Sequence, residues 1–313
     1  MNGEDMRSLA GVWSAAPTPF TEDMRTDVEA VARMVEHHLR LGVKGLFLAG
    51  TCGEGAWMPD RERRRLVRAA VEASAGRLAI AVQVTDNSAA RVLDNAEAAA
   101  EDGADIAVIA PPSFLLNATG ENLLRLYQQA IAGSPLPVGI YDRGSAGAVV
   151  VPDEVLGEIY RQDGVVMVKD SSGSAERREI ALAARRERPE LLLLDGDEFR
   201  CVQYLEAGYD GLLLGGGVFN GHLAGLITQA VAAGDGARAR ELQERMNRLM
   251  YDVYGGQSIT CWLSGLKWLL VEMGIFGTWR SFLEYPLTEE CREAIGRAVG
   301  EQRDVLFPWE GKP

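Results

Sequence analysis

Between residue 11 and about residue 233 one rhythm repeats: a short run rich in Val, Ile and Leu, then ten or more residues with helical periodicity. The apolar runs are "GVWSAAP" near 11, "GLFLAG" at 45, "LAIAVQV" at 78 and "IAVIAPP" at 106, then "PVGIY" at 137, "VVMVKD" at 165, "LLLLDGD" at 191 and "GLLLGGG" at 211. They are continuously apolar rather than alternating, which suits parallel strands buried on both faces. Eight such units point to an α/β fold, a (β/α)8 TIM barrel. The competing doubly wound sheet usually has fewer strands, and no GxGxxG follows the first run.

The helical segments carry their own punctuation. Thr26 and Glu29 have the spacing of a capping box, and Gly42 ends the pattern that follows them. Pro59 suits a first helical turn, and Pro152-Asp153 open the fifth helix. Gly76, Gly103 and Gly208 stand as stop signals after other helical runs. Beyond residue 233 the strands cease. "ARARELQERMNRLMYDVYG", "SITCWLSGLKWLLVEMG" and "TEECREAIGRAVGEQRDVL" read as three helices. The expected organisation is a catalytic barrel over residues 1–233 and a C-terminal α-helical extension over 234–313.

Composition enters as a set of exclusions. The net charge of −13 lacks the basic surface that phosphate contacts need, so no nucleic acid is expected as a partner. The basic run "RERRR", Arg61 to Arg65, reads as a solvated helix face. There is no leader-like N-terminus and no apolar run near ~18 residues, so the chain reads as cytoplasmic with no membrane association. Cys52, Cys201, Cys261 and Cys291 are scattered without metal spacing and read as reduced thiols. His37, His38 and His222 form no metal motif, and His37 and His38 read as structural or surface positions in a helix. No metal is expected.

In a TIM barrel the chemistry belongs at the C-terminal strand ends, where the βα loops converge. The sixth run ends in Lys169-Asp170, and Lys169 is one of only four lysines in a chain with 32 Lys plus Arg. Arginine cannot shed its proton, whereas a desolvated lysine becomes a neutral amine able to attack a carbonyl and form a Schiff base. Tyr141, ending the neighbouring fifth run, is the acid/base candidate for the proton transfers of imine formation. The second run ends in "GTCGEG", whose glycines expose backbone N–H groups as an anion nest, with Thr51 adding a hydroxyl. A carboxylate held there with its ketone facing Lys169 describes a 2-oxo acid. Glu54 reads as fixing the loop. Lys267, in an apolar tail helix, reads as a packing residue with a snorkelling ammonium.

Taken together, "PTPF", "GTCGE", Tyr141, "KDSSG", "GDE" and "LKWLLVEMG" resemble the dihydrodipicolinate synthase/N-acetylneuraminate lyase family of class I, pyruvate-dependent aldolases. The resemblance runs along almost the whole chain. It implies Lys169 as the imine-forming lysine, Tyr141 as the proton relay, and Thr51 and Cys52 as carboxylate binders, with Thr51 also bonding Tyr141. It further implies a homotetramer built as a dimer of dimers, and no cofactor, because the imine is the electron sink. Three departures bear on substrate. Ser113-Phe114 stand where the synthases have a tyrosine pair, Ala146 stands where they have an arginine, and Arg143 follows Tyr141 as in the sugar-acid branch.

The reading is a lyase for aldol cleavage, condensation with pyruvate, or dehydration of a 2-keto-3-deoxy sugar acid. Arg143, Gly215 and Gly216 would face the variable part of that substrate. The alternatives are dihydrodipicolinate synthase, a barrel enzyme binding phosphate at "GLLLGGGVFNG", and a non-catalytic relative that binds 2-oxo acids.

Overall fold

The structure is a computed structural model that describes residues 6–309; residues 1–5 and 310–313, the outer ends of the two expected regions, lie outside the described residues. Eight strands run in chain order: β1 (Gly11–Ala15), β2 (Gly45–Leu48), β3 (Ala79–Gln83), β4 (Ile106–Ile109), β5 (Val138–Asp142), β6 (Val165–Asp170), β7 (Leu192–Asp195) and β8 (Gly211–Leu214). Each pairs in parallel with the next, and β8 returns to β1 to close the barrel. One helix follows each strand: α1 (Val28–Leu41), α2 (Asp60–Ser74), α3 (Ala89–Glu101), α4 (Gly120–Gly133), α5 (Asp153–Tyr160), α6 (Ala175–Glu187), α7 (Cys201–Glu206) and α8 (Gly217–Ala232). This is the TIM barrel expected from the repeat, with its strands buried inside a ring of helices.

The tail adds α9 (Gly236–Tyr254), α10 (Trp262–Glu272), α11 (Glu289–Glu301) and α12 (Arg303–Leu306). The last expected helix is thus split at Gln302, which caps α12.

Local chemistry differs from expectation in three places. The cap of α1 is Asp27, whose carboxylate accepts from the Ala30 N–H at 3.0 Å. Thr26 is instead committed to Glu62 on α2, by its N–H to Oε2 at 2.8 Å and its hydroxyl to the backbone carbonyl at 3.1 Å. Pro59 precedes α2 as its N-cap rather than entering the first turn. The arginine run is only partly solvated: Arg61 is exposed, but Arg63 bonds Asn95 and Arg64 clamps Asp102, so the run ties α2 to α3. His37 and His38 take the structural of their two expected roles, fully buried in α1. His38 bonds Ser14 Oγ and the Met34 carbonyl, and His37 bonds the Val218 carbonyl.

Among the described residues no helix is long and apolar enough to cross a membrane. The feature that matters most for the site is the register of β5 and β6. An irregularity at Val138/Gly139 shifts the pairing, after which Tyr141 lies opposite Lys169 and Asp142 opposite Asp170. The Met167 methyl packs over Gly139 at this point, 2.8 Å from where a Cβ would stand.

Candidate active site

Alternation along a strand sends consecutive side chains to opposite faces. At the end of β6 it divides Lys169 from Asp170. Asp170 faces the helical layer, where it accepts from the Tyr209 hydroxyl at 2.7 Å and from the Ser172 N–H at 2.9 Å. Asp142 does the same on β5, with Arg177, Tyr160 and the Gly144 N–H as donors. Lys169, only 5% exposed, faces the barrel axis free of both carboxylates. Its Nζ stands 4.1 Å from the Tyr141 ring centre and 5.1 Å from that of Phe47, which meets Tyr141 edge-on. The amine is thus surrounded by aromatic walls at the catalytic end of the barrel.

Tyr141 has polar company. The Thr51 and Ser171 hydroxyls stand near its phenol, and the Lys169 and Arg143 charges act on it. Burial alone would push this phenol up; the two cations and two hydroxyls outweigh it and hold the phenol below its ordinary value. Arg143 is half-buried and lies against the turn at Gly147, whose Cβ would be 3.6 Å from Arg143 Nη1. Ala146 is exposed on the same turn.

The loop after β2 is wound tightly enough that Ala49 and Glu54 adopt left-handed φ of 53° and 59°. The Gly55 N–H closes on the Gly50 carbonyl at 3.2 Å, and a side chain at Gly55 would overlap the Ala49 carbonyl. Cys52 is buried, and its Sγ–H donates to the Gly215 carbonyl at 3.7 Å. Burial first, and the Glu198 charge second, push its thiol up to about 12. Cys52 therefore locks this loop to the turn after β8 as a neutral thiol.

Glu54 anchors the other end of the loop, as expected. It is fully buried, pairs with Lys267 of α10, and accepts from Ser281 Oγ at 2.9 Å and the Phe282 N–H at 2.6 Å. Lys267 does not snorkel to solvent. Its ammonium also donates to the Arg280 carbonyl at 2.7 Å and lies 4.4 Å from the Phe20 ring centre. Burial pushes that ammonium below its ordinary value while Glu54 opposes the shift.

The expected residues Lys169, Tyr141, Thr51, Cys52, Arg143 and Gly215–Gly216 therefore converge on one mouth. Two others join them. Glu198 turns in from the loop after β7, accepting from the Gly216 N–H at 2.6 Å and the Tyr254 hydroxyl at 2.9 Å. Burial raises its carboxyl above the ordinary value, and Lys169 opposes that shift. The space left by the strand-eight glycines is thus partly filled by a carboxylate: a Cβ at Gly216 would lie 3.1 Å from Glu198 Oε2. Ser171 is the second addition, and period-two alternation from Lys169 is the signal that marks it. For Glu198 the signal was weaker, because "DGDE" offers three acids in one turn. Among the described residues no cluster of three or more His, Cys, Asp or Glu side chains could hold a metal.

Comparison with known proteins places this geometry in context. The sequence model of the dihydrodipicolinate synthetase family matches residues 8–301. A 4-hydroxy-tetrahydrodipicolinate synthase of Methylococcus capsulatus is 28% identical over 302 residues, spanning 95% of this chain and 100% of the relative. The solved dihydrodipicolinate synthase from Bacteroides thetaiotaomicron superimposes with a TM-score of 0.85 at 27% identity, over 93% of this chain and 98% of that one. An E. coli K12 prophage protein of the dihydrodipicolinic acid synthase family, solved in complex with pyruvate, has a TM-score of 0.83 at 20% identity, over 95% of this chain and 99% of that one. At that identity it speaks for the fold alone.

Proposed function

We infer the function from one premise: the chain belongs to the dihydrodipicolinate synthetase family, whose members are lyases of the class I aldolase type working through a lysine Schiff base. The imine-forming lysine here is Lys169, and the observation that carries this is its seclusion. It is the buried amine at the C-terminal strand ends, 4.1 Å from the Tyr141 ring centre and without a carboxylate partner of its own.

The steps follow from the arrangement. A 2-oxo acid lays its carboxylate on the Gly50–Gly55 loop, bound by the Thr51 hydroxyl and loop N–H groups, with its ketone toward Lys169. The Lys169 nitrogen adds to the carbonyl carbon, and the proton it sheds passes to the carbonyl oxygen, forming a carbinolamine. Tyr141 gives its proton to the departing hydroxyl, water leaves and the imine forms. The resulting phenolate then takes a proton from the bound substrate. From C3 this gives an enamine; from a C4 hydroxyl it breaks the C3–C4 bond and releases an aldehyde. The Lys169 and Arg143 charges favour that phenolate.

The substrate proposed is a 2-keto-3-deoxy sugar acid, cleaved, formed or dehydrated. Glu198, seated by Gly216 and Tyr254, supports it: a carboxylate accepts hydroxyl hydrogens and repels a second acidic group. Arg143 on the turn after β5, together with non-basic Ala146, fits the same reading. A second reading, 4-hydroxy-tetrahydrodipicolinate synthesis from pyruvate and aspartate semialdehyde, is supported by the name of the Methylococcus relative. A homotetramer and a cytoplasmic location belong to the same proposal. Phe114 and Leu116, 63% and 77% exposed on one loop after β4, supply apolar surface of the kind that subunit contacts cover.

Borohydride reduction in the presence of pyruvate should leave an adduct on Lys169, seen by peptide mass spectrometry, and Lys169→Ala should abolish it. No adduct on the wild-type protein would end the Schiff-base reading. Pyruvate release from a panel of 2-keto-3-deoxy acids, set beside condensation of pyruvate with aspartate semialdehyde, separates the two substrate readings.

A further inference from the structure

Ser171 has no part in the steps above, yet its surroundings are those of a working residue. The chain after β6 stays in the ladder: the Ser171 N–H donates to the Asp142 carbonyl at 2.9 Å, and the Gly196 N–H donates to the Asp170 carbonyl at 2.7 Å. Ser171 therefore holds the strand alternation two residues beyond Lys169 and shares its inward face. Its neighbour across the ladder is Gly196. A Cβ there would overlap Ser171 Oγ and sit 3.0 Å from Lys169 Cε, so the hydroxyl and the lysine stem lie side by side over a missing side chain. Tyr141 lies opposite Lys169 in the ladder, so the hydroxyl two residues further along the same inward face stands beside the Tyr141 phenol, where it and the Thr51 hydroxyl favour the charged form.

We propose that Ser171 is a positioning residue for Tyr141: its Oγ–H donates to the phenolic oxygen alongside Thr51 and holds the phenolate that forms each time Tyr141 gives up its proton. This rests on the Schiff-base reading. After the carbinolamine hydroxyl has left as water, Tyr141 carries a full negative charge in a buried mouth, and a buried anion without donors is costly. Two hydroxyl donors from different loops fix the oxygen in place and favour its charged form. Gly196 keeps the second donor in reach. The charged groups acting on Tyr141 are Lys169 on β6 and Arg143 at the end of β5; Glu198 beyond β7 and Cys52 beyond β2 interact with Lys169 across the mouth.

The test uses pyruvate alone, so it needs no knowledge of the second substrate. An enzyme that cycles pyruvate between imine and enamine exchanges its methyl protons with D2O, and NMR reads the rate. Wild type, Ser171→Ala and Ser171→Thr are compared over a pH series from about 6 to about 10, up to the ordinary value of a phenol. Ser171→Ala should exchange about tenfold more slowly near neutral pH, the size of one lost hydrogen bond to an ionised group. Its KM for pyruvate should stay within about twofold, and the alkaline limb of the profile should move up by about one unit. Ser171→Thr should restore both rate and limb. Gly196→Ala, which keeps the hydroxyl but displaces it, should move the limb in the same direction. A loss equal at every pH with the limb unmoved, an unchanged rate, or no rescue by threonine overturns the proposal. Borohydride trapping on the wild type keeps the two failures apart. No adduct removes the Schiff-base reading itself, whereas an adduct with an unaltered Ser171→Ala profile removes only the role of Ser171.

Discussion

At the scale of single residues, Cys52 shows how burial decides chemistry. A thiol at the mouth of an active site invites a nucleophilic role, but reactivity belongs to the thiolate. With its thiol pushed up to about 12, only about one molecule in ten thousand carries the thiolate at pH 8. Iodoacetamide at that pH should leave Cys52 unmodified in the folded protein and label it once denatured. Labelling of the native protein at Cys52 would contradict the loop-locking role. Residues differ in how far they can be read without a structure. The place of Lys169 at a buried strand end is legible from the continuous apolar run before it. Glu198 is not, because Asp195, Asp197 and Glu198 compete for one turn. What sorts them is remote: Asp195 accepts from the Asp197 N–H, Asp197 pairs with Arg200, and Glu198 receives a hydroxyl from Tyr254 in the tail.

At the scale of elements, α1 carries a pH liability. Burial first, then the His38 and Arg40 charges, lower His37 to about 3; burial lowers His38 to about 4. Both must stay neutral in the fold, whereas in the unfolded chain they take up protons near 6.5. Between those values the unfolded chain binds more protons, so stability is present above about 6.5 and is lost as pH falls toward 4. The two imidazoles together account for a loss of roughly 4 kcal/mol between about pH 6.5 and 4.5. Urea melts at stepped pH should show that decline, and His38→Gln should halve its slope; parallel curves would place the liability elsewhere. The position of α1 was readable from its apolar spacing, but its cap was not. Thr26 and Asp27 are both good caps by type, and Glu62 of α2 takes Thr26 out of the contest. The shift at Val138/Gly139 was equally hidden, since it belongs to the pairing of β5 with β6 and not to the apolar pattern of either strand.

At the scale of the whole molecule, the helical tail is part of the active-site architecture rather than an appendage. Glu54 in the loop after β2 and Lys267 in α10 form a fully buried pair, and Ser281 and Phe282 from the segment after α10 donate to the same carboxylate. Tyr254, ending α9, holds Glu198 from the other side of the mouth. The strand-helix repeat announces the barrel, but periodicity says nothing about which tail residues reach back to which loop. Lys267 was therefore readable as buried stem and not as the partner of Glu54. Removing one member of such a pair strands the other charge in the interior, at a cost of about 3–5 kcal/mol. Lys267→Met should accordingly lower the melting temperature by about 10 °C in a chain of this size. It should also slow pyruvate trapping on Lys169, because the loop proposed to seat the carboxylate loses its anchor. Adding Glu54→Gln to that variant removes the stranded charge and should recover much of the stability without recovering the trapping rate. If the single variant melts as the wild type does, the pair is not what joins tail to barrel.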